Sequence, residues 1–247
     1  MWTPTELRAN FQWGSGTLWR AVENQFKAST RRITDTLDEQ SRLEELVEGN
    51  KPPVPESARG LDYLLMTPFR YRPPHPRGSR FRRPHAPWGL FYAAEARRTA
   101  LAELSYHRYQ FFLASEGTEL PATESLLTLF SVSYAVKYQT DLSRPPLDRD
   151  KAKWTNPNDY SATQALAEAA REAGAQSIRN ESIRDPEPGK NVALLDPAGF
   201  RTQAPSKKET WKLHLGDIEA AAIPAIEGEV EPIRFKRADW DLPEPPE

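Results

Sequence analysis

Residues 67–103 read TPFRYRPPHPRGSRFRRPHAPWGLFYAAEARRTALAE, and the interpretation of the whole chain turns on them. Arg70, Arg72, Arg77, Arg80, Arg82 and Arg83 all precede the first acid, Glu95. Prolines and Gly78 break the basic part, so it is not one continuous solvated helix. A short apolar run at residues 88–94 follows, and then a helical pattern that carries Glu103. A cationic, irregular segment feeding a strand and then an acid points to a site for a phosphate-bearing ligand. Composition alone leaves a basic surface loop open as the alternative.

The rest of the chain sets bounds on that reading. With 247 residues it can bury a sizeable core, as one large domain or two small ones. A hydrophobic content of 38%, with 10% aromatics, fits a folded protein. The 23 prolines and a mean hydropathy of -0.71 predict long, stiff loops. The formal charge is only -2, which lacks the global basic field of nucleic-acid binders and makes the arginine cluster a local feature. A small anionic ligand is therefore favoured over direct nucleic-acid binding. The absence of cysteine excludes disulfides, thiolate nucleophiles and Cys-ligated zinc. No signal peptide is recognisable at the start and no apolar run approaches a membrane span, so a cytoplasmic protein without membrane contact is expected.

Outward from the basic stretch, residues 1–16 read as an irregular arm packing through Trp2, Phe11 and Trp13. From Thr17 the spacing of Leu18, Val22 and Phe26, then Ile33 and Leu37, then Leu43 and Val47, predicts helix. Thr36 and Glu39 are spaced for a capping box, and Gly49-Asn50-Lys51-Pro52 is a stop. Residues 61–66 read as a buried strand, 88–94 as a second, and 95–112 as a helix with Leu101, Leu104 and Phe111 inward. Strict alternation marks residues 126–138 as the clearest strand. Residues 142–160 read as an exposed loop. Ser161 is placed to cap a helix that ends at Gly174, and short strands are expected at 175–183, 191–195, 210–215 and 231–236. The expected fold class is α+β, with a mixed sheet and a helical N-terminal region. The domain reading is a helical extension over 1–60, a catalytic domain over 61–240 and a frayed tail over 241–247.

The chemistry is narrowed by what is missing. His75, His85, His107 and His214 show no metal-ligand spacing, so no metal is expected. The glycine-rich cradles for dinucleotides and nucleoside triphosphates are absent, as is a nucleophile elbow. Arginine, tyrosine and one glutamate remain. Arginines clamp a diphosphate, an aromatic ring stacks on a leaving base, and a carboxylate faces a developing oxocarbenium charge. Such a set suits cleavage of an N-glycosidic bond to a good leaving group.

Between about residues 67 and 197 the sequence resembles the RES domain family. The resemblance rests on Phe69-Arg70-Tyr71, Gly78-Ser79-Arg80-Phe81, Gly89-Leu90-Phe91-Tyr92, Thr99-Ala100-Leu101-Ala102-Glu103, Ser182-Ile183-Arg184-Asp185-Pro186 and Asn191-Val192-Ala193-Leu194. It implies an ADP-ribosyltransferase-like fold and consumption of NAD by hydrolysis or phosphorolysis, with phosphate as the co-substrate in the second case. It also implies a toxin held in check by a helix-turn-helix antitoxin. Carried over by position, the family arginine falls on Arg70, the glutamate on Glu103 and the serine on Ser182, which are the expected catalytic residues. NAD contacts fall on Arg70, Tyr71, Arg80, Tyr92 and Ser182. The family's Gly-Arg-Trp block is altered here, with Phe81 as the aromatic and the glycine two positions before Arg80. Arg70 and Glu103 are expected to converge on one cleft. Arg184 reads as structural, and His107 as a solvated or packing residue. Transfer of ADP-ribose to a protein, or a silent NAD-binding module, are the alternative readings, and assembly into a homo-oligomer is left open.

Overall fold

The alternation at residues 126–138 builds the longest strand, β3 (Ser125–Asp141), and the other strands are arranged around it. The computed structural model describes residues 2–24, 33–71, 78–114, 117–187, 189–226, 228 and 230–242. One edge of β3 takes β1 (Gln12–Glu23), antiparallel, from Gln12 opposite Gln139 to Glu23 opposite Leu127. The other edge takes β6 (Lys207–Leu215) at the start of β3 and β4 (Ser177–Glu181), in parallel, at its end. From β4 the order continues through β5 (Lys190–Leu194) to β2 (Phe91–Ala94). β2 then meets β1 where Ala94 pairs with Trp19, closing a circuit of five strands. Beyond β6, β7 (Glu219–Pro224) and β8 (Ile233–Lys236) extend the sheet as an antiparallel meander. This is the mixed-sheet α+β architecture that the sequence leads one to expect.

Helices cover the sheet in three apolar clusters. α3 (Tyr63–Arg70) sets Leu65 and Phe69 against Leu18, Phe91, Phe130 and Leu194. α4 (Arg97–Leu113) buries Leu101, Tyr106 and Tyr109 with Trp211, Phe235 and Trp240. α6 (Ser161–Ala173) packs Leu166 and Ala170 on Ile178 and Ala193, joined by α1 (Pro4–Ala9) and by Trp154 of α5 (Lys151–Trp154). Gly89 lets α3 dock on the approach to β2. A Cβ there would lie 2.2 Å from Phe69 Cα and 2.3 Å from the Pro68 carbonyl oxygen.

Several sequence expectations give way to tertiary structure. Residues 17–23, expected as helix, are strand β1, because a spacing of four residues is also twice the strand period of two. Phe26, which completed that pattern, lies outside the described residues. The run at 61–66 lies at the start of helix α3, which Asp62 caps by accepting the Leu64 N–H. The arm before β1 contains α1, closed by a capping box between Thr3 and Glu6; Trp2 is buried but Trp13 is exposed. Residues 142–160 are not merely exposed loop: Leu142, Leu147 and Trp154 are core. Phe111 faces solvent, and α6 has no side-chain cap from Ser161. The predicted capping box of Thr36 and Glu39 is present on α2 (Leu37–Gly49), and Gly174 ends α6 at φ 89°.

Candidate active site

A cavity of about 730 Å³ opens where β1, β2 and α4 meet the segment 78–81 and residues 157–161. That size suits a cofactor-sized ligand. Glu103 enters it from the second turn of α4, the helix that follows β2 after a two-residue connection. The carboxylate is tightly held on one side. Its Oε1 accepts from Ser182 Oγ at 2.7 Å and from Asn191 Nδ2 at 2.6 Å. Ser182 is itself fixed, because its Oγ accepts the backbone N–H groups of Arg184 (3.2 Å) and Asp185 (3.0 Å). With both of those acceptances made, the hydroxyl proton is committed to Glu103. Asn191 is the second residue of β5 and Ser182 follows β4, so two paired strands orient one carboxylate. No partner among the described residues occupies Oε2 of Glu103.

The basic stretch closes the cavity from the other side. Gly78 turns the chain at φ 74° and brings its Cα against the Arg82 carbonyl, a place no side chain fits. The turn that follows pairs Ser79 with Arg82 and brings Ser79, Arg80 and Phe81 to the cavity, opposite Tyr92 of β2. Arg80 reaches the Trp154 carbonyl at 2.9 Å and lies 4.7 Å over the Tyr160 ring. Desolvation pulls its pKa below the ordinary value, opposed by Tyr160 and by the Glu103 charge. Tyr92 accepts the Phe81 N–H at 3.1 Å and shares a 2.9 Å hydrogen bond with Ser79 Oγ, its ring stacked on Phe81. Burial pushes the phenol pKa up, so it stays neutral. Arg82 is spent on structure, donating to the carbonyls of Tyr71 and Trp88.

The expected site residues do not all meet. Glu103 and Ser182 are in direct contact, and Arg80 and Tyr92 line the same cavity as Glu103. Arg70 does not line it. From the last turn of α3, Arg70 ion-pairs with Glu48 at 2.6 Å and donates to the Pro52 carbonyl, with its side chain 7% exposed. Tyr71 is not a lining residue either, and Arg72, His75 and Arg77 lie outside the described residues. The convergence expected of Arg70 and Glu103 is therefore not found; the arginines that share the cavity with Glu103 include Arg80 and Arg184. Arg184, read from sequence as structural, lines the cavity 3.7 Å from the Tyr106 ring centroid, with Nη2 on the Pro157 carbonyl. Arg20 lines it from β1, a residue hidden by the helical reading of that segment. Its unusual place, a charge on the apolar parity of Leu18 and Val22, was the available signal. His107 also borders the cavity, its Nδ1 3.2 Å from Gln110 Oε1.

Among the described residues there is no cluster of three His, Asp or Glu side chains placed to hold a metal, and no helix long and apolar enough to cross a membrane. No curated protein matches the chain. Among solved structures, the chain is similar to one described as the crystal structure of the M. tuberculosis MbcT-MbcA toxin-antitoxin complex. The identity is 14% and the TM-score 0.48, over 85% of this chain and 91% of that one. The RES domain family model matches residues 54–216, which include Gly78, Arg80, Tyr92, Glu103, Ser182, Arg184 and Asn191. On that match, which spans well over half its length, the chain belongs to the RES domain family.

Proposed function

We propose that the cavity binds NAD and that the protein cleaves the bond between nicotinamide and its ribose. The observation that carries this reading is the Glu103 carboxylate, held at one oxygen by Ser182 and Asn191 and facing a cavity lined by Arg80 and Arg184. In the reaction the C1′–N bond breaks and the electron pair leaves with nicotinamide, which needs no protonation because its ring nitrogen begins as a cation. Glu103 stabilises the positive charge that develops on the ribose. Ser182 and Asn191 act as positioning residues that fix its rotation. Arg80 and Arg184 supply the cationic wall for the diphosphate. The ring of Tyr92, kept neutral and locked by Ser79 and Phe81, bounds the site as a rigid apolar face. An oxygen of water or of inorganic phosphate then bonds to C1′, and its proton passes to solvent.

Membership of the RES family supports NAD as substrate and a toxin of a toxin–antitoxin pair as biological role, with a helix-turn-helix antitoxin as partner. Arg70 has no part in this scheme, because Glu48 and Pro52 engage it outside the cavity. Incubation of the purified chain with NAD, with and without phosphate, tests the reading by product analysis. Nicotinamide should appear together with ADP-ribose, or with its 1″-phosphate when phosphate is the acceptor. Label from NAD on protein instead would replace cleavage with ADP-ribose transfer.

A further inference from the structure

Strand β4 carries a polar atom to the cavity that the scheme above does not use. Asn180, the fourth residue of the strand, lines the cavity and is only 3% exposed. Its Nδ2 donates to the Glu181 carbonyl at 2.8 Å. That bond fixes which end of the amide is which, since the reverse orientation would set two carbonyl oxygens against each other. Oδ1 is left buried, with no hydrogen-bond partner among the described residues. A buried acceptor without a donor keeps its desolvation cost uncompensated, and asparagine is a poor strand former. A β-branched apolar side chain would serve the strand better. The free oxygen is therefore what needs explaining.

Its neighbours supply the explanation. Asn180 pairs across the sheet with Asn191 of β5, so their side chains stand side by side on one face. Asn191 is the residue whose amide holds Oε1 of Glu103, and the other oxygen of that carboxylate is open among the described residues. One wall thus offers two open acceptors, an amide oxygen and a carboxylate oxygen. We propose that Asn180 Oδ1 and Glu103 Oε2 hold the molecule that attacks C1′ and select water over inorganic phosphate, so that the reaction is a hydrolysis; this rests on the reading of the cavity as the site of NAD cleavage. Water gives one O–H to each acceptor and keeps a lone pair for C1′. As the C1′–O bond forms, the C1′–N bond breaks with its electron pair on nicotinamide, and one proton of the water leaves through Glu103 to solvent. The products are ADP-ribose, nicotinamide and a proton. Phosphate would bring negative charge against a carboxylate and the negative end of an amide dipole, where Arg80 and Arg184 already serve the diphosphate.

Product analysis of NAD cleavage by the full chain, in buffers with and without inorganic phosphate, tests the assignment. The wild type should give ADP-ribose as its main product in both. Asn180→Ala removes the acceptor and should lower kcat for hydrolysis about tenfold, the effect of one lost hydrogen bond. In phosphate it should also raise the share of ADP-ribose 1″-phosphate. Asn180→Asp keeps an acceptor at the same place and adds negative charge, so it should form no phosphate ester. A side chain that only packs would slow turnover and leave the product ratio unmoved. The proposal is overturned by the phosphate ester as main product of the wild type, or by an unmoved ratio in a folded Asn180→Ala at whatever rate. If the alanine variant does not fold, the wild type and Asn180→Asp decide, since phosphate ester as the main product of either contradicts the selection. No nicotinamide release from the wild type in either buffer would instead sink the reading of the cavity, a separate and recognisable outcome.

Discussion

Ser182 shows how much a single hydroxyl can settle. It takes two backbone N–H groups from the turn that follows and gives its one proton to Glu103, so the carboxylate inherits the rigidity of that turn. Replacing it by alanine removes one charge-assisted hydrogen bond, worth roughly 1.5–3 kcal/mol. If that interaction is fully expressed in the transition state, Ser182→Ala should lower kcat by about ten- to a hundredfold. Asn191→Ala should act in the same direction through the same oxygen, and the double variant should fall short of the product of the two, because both donors fix one group. Steady-state nicotinamide release from the three variants checks this. Glu103 and Ser182 were legible in the sequence only through the family blocks. Asn191 stood in one of those blocks without a role, since nothing in linear spacing says that its amide reaches a helix 88 positions away. The position of Arg70 was not legible for the complementary reason: a basic run does not reveal which of its guanidinium groups another element will claim, here Glu48 of α2.

At the scale of elements, α4 has to be held still for Glu103 to be held still. Its first turn is clamped to β6 by Arg97, which donates from Nη2 to Glu209 Oε1 at 2.8 Å while its guanidinium lies 4.0 Å from the centre of the Trp19 ring. Burial raises the Glu209 pKa, but hydrogen bonds from Arg97, Lys207 and Trp211 outweigh it and hold the group below its ordinary 4.5. A depressed folded-state pKa means that this contribution is complete above the unfolded value and is lost as pH falls through the folded one. Thermal stability should therefore drop as acid is added below about pH 4.5, and Glu209→Gln should show a shallower drop in that window from a lower starting Tm. Gly89→Ala should destabilise by about 1–3 kcal/mol in chemical denaturation, because the added methyl meets the backbone of α3.

The elements that were legible are those in which local pattern and final environment agree. The alternation of β3 and the αL glycine after α6 are of that kind. β1 was not, and its misreading is informative. Leu18 and Val22 fit a strand as well as a helix, and the residue between them that should have completed the alternation is Arg20, turned to the cavity. A local rule broken at a site is an expected kind of failure. β7 escaped notice because Ala220, Ala221 and Ala222 carry little strand propensity and are held by pairing on both sides.

Over the whole molecule, stability is unevenly spread. β3 is bonded along both edges and lies in the core, whereas α2 buries none of its residues and is tied down mainly by contacts at its end, such as Glu48 to Arg70. Hydrogen exchange should be slowest in β3 and fast throughout α2, and comparable protection in the two would show that α2 has a partner face. The cavity depends on distant parts of the chain coming together: β1, the basic turn, α4 and the ends of β4 and β5 each supply one wall or one hydrogen bond. The most direct test of that assembly is nicotinamide release from NAD by purified wild-type chain and by Glu103→Gln, which keeps the shape of the side chain and removes its charge. Release by the wild type and a loss of at least a hundredfold in a folded Glu103→Gln is the predicted result. Equal rates in the two proteins would contradict the account.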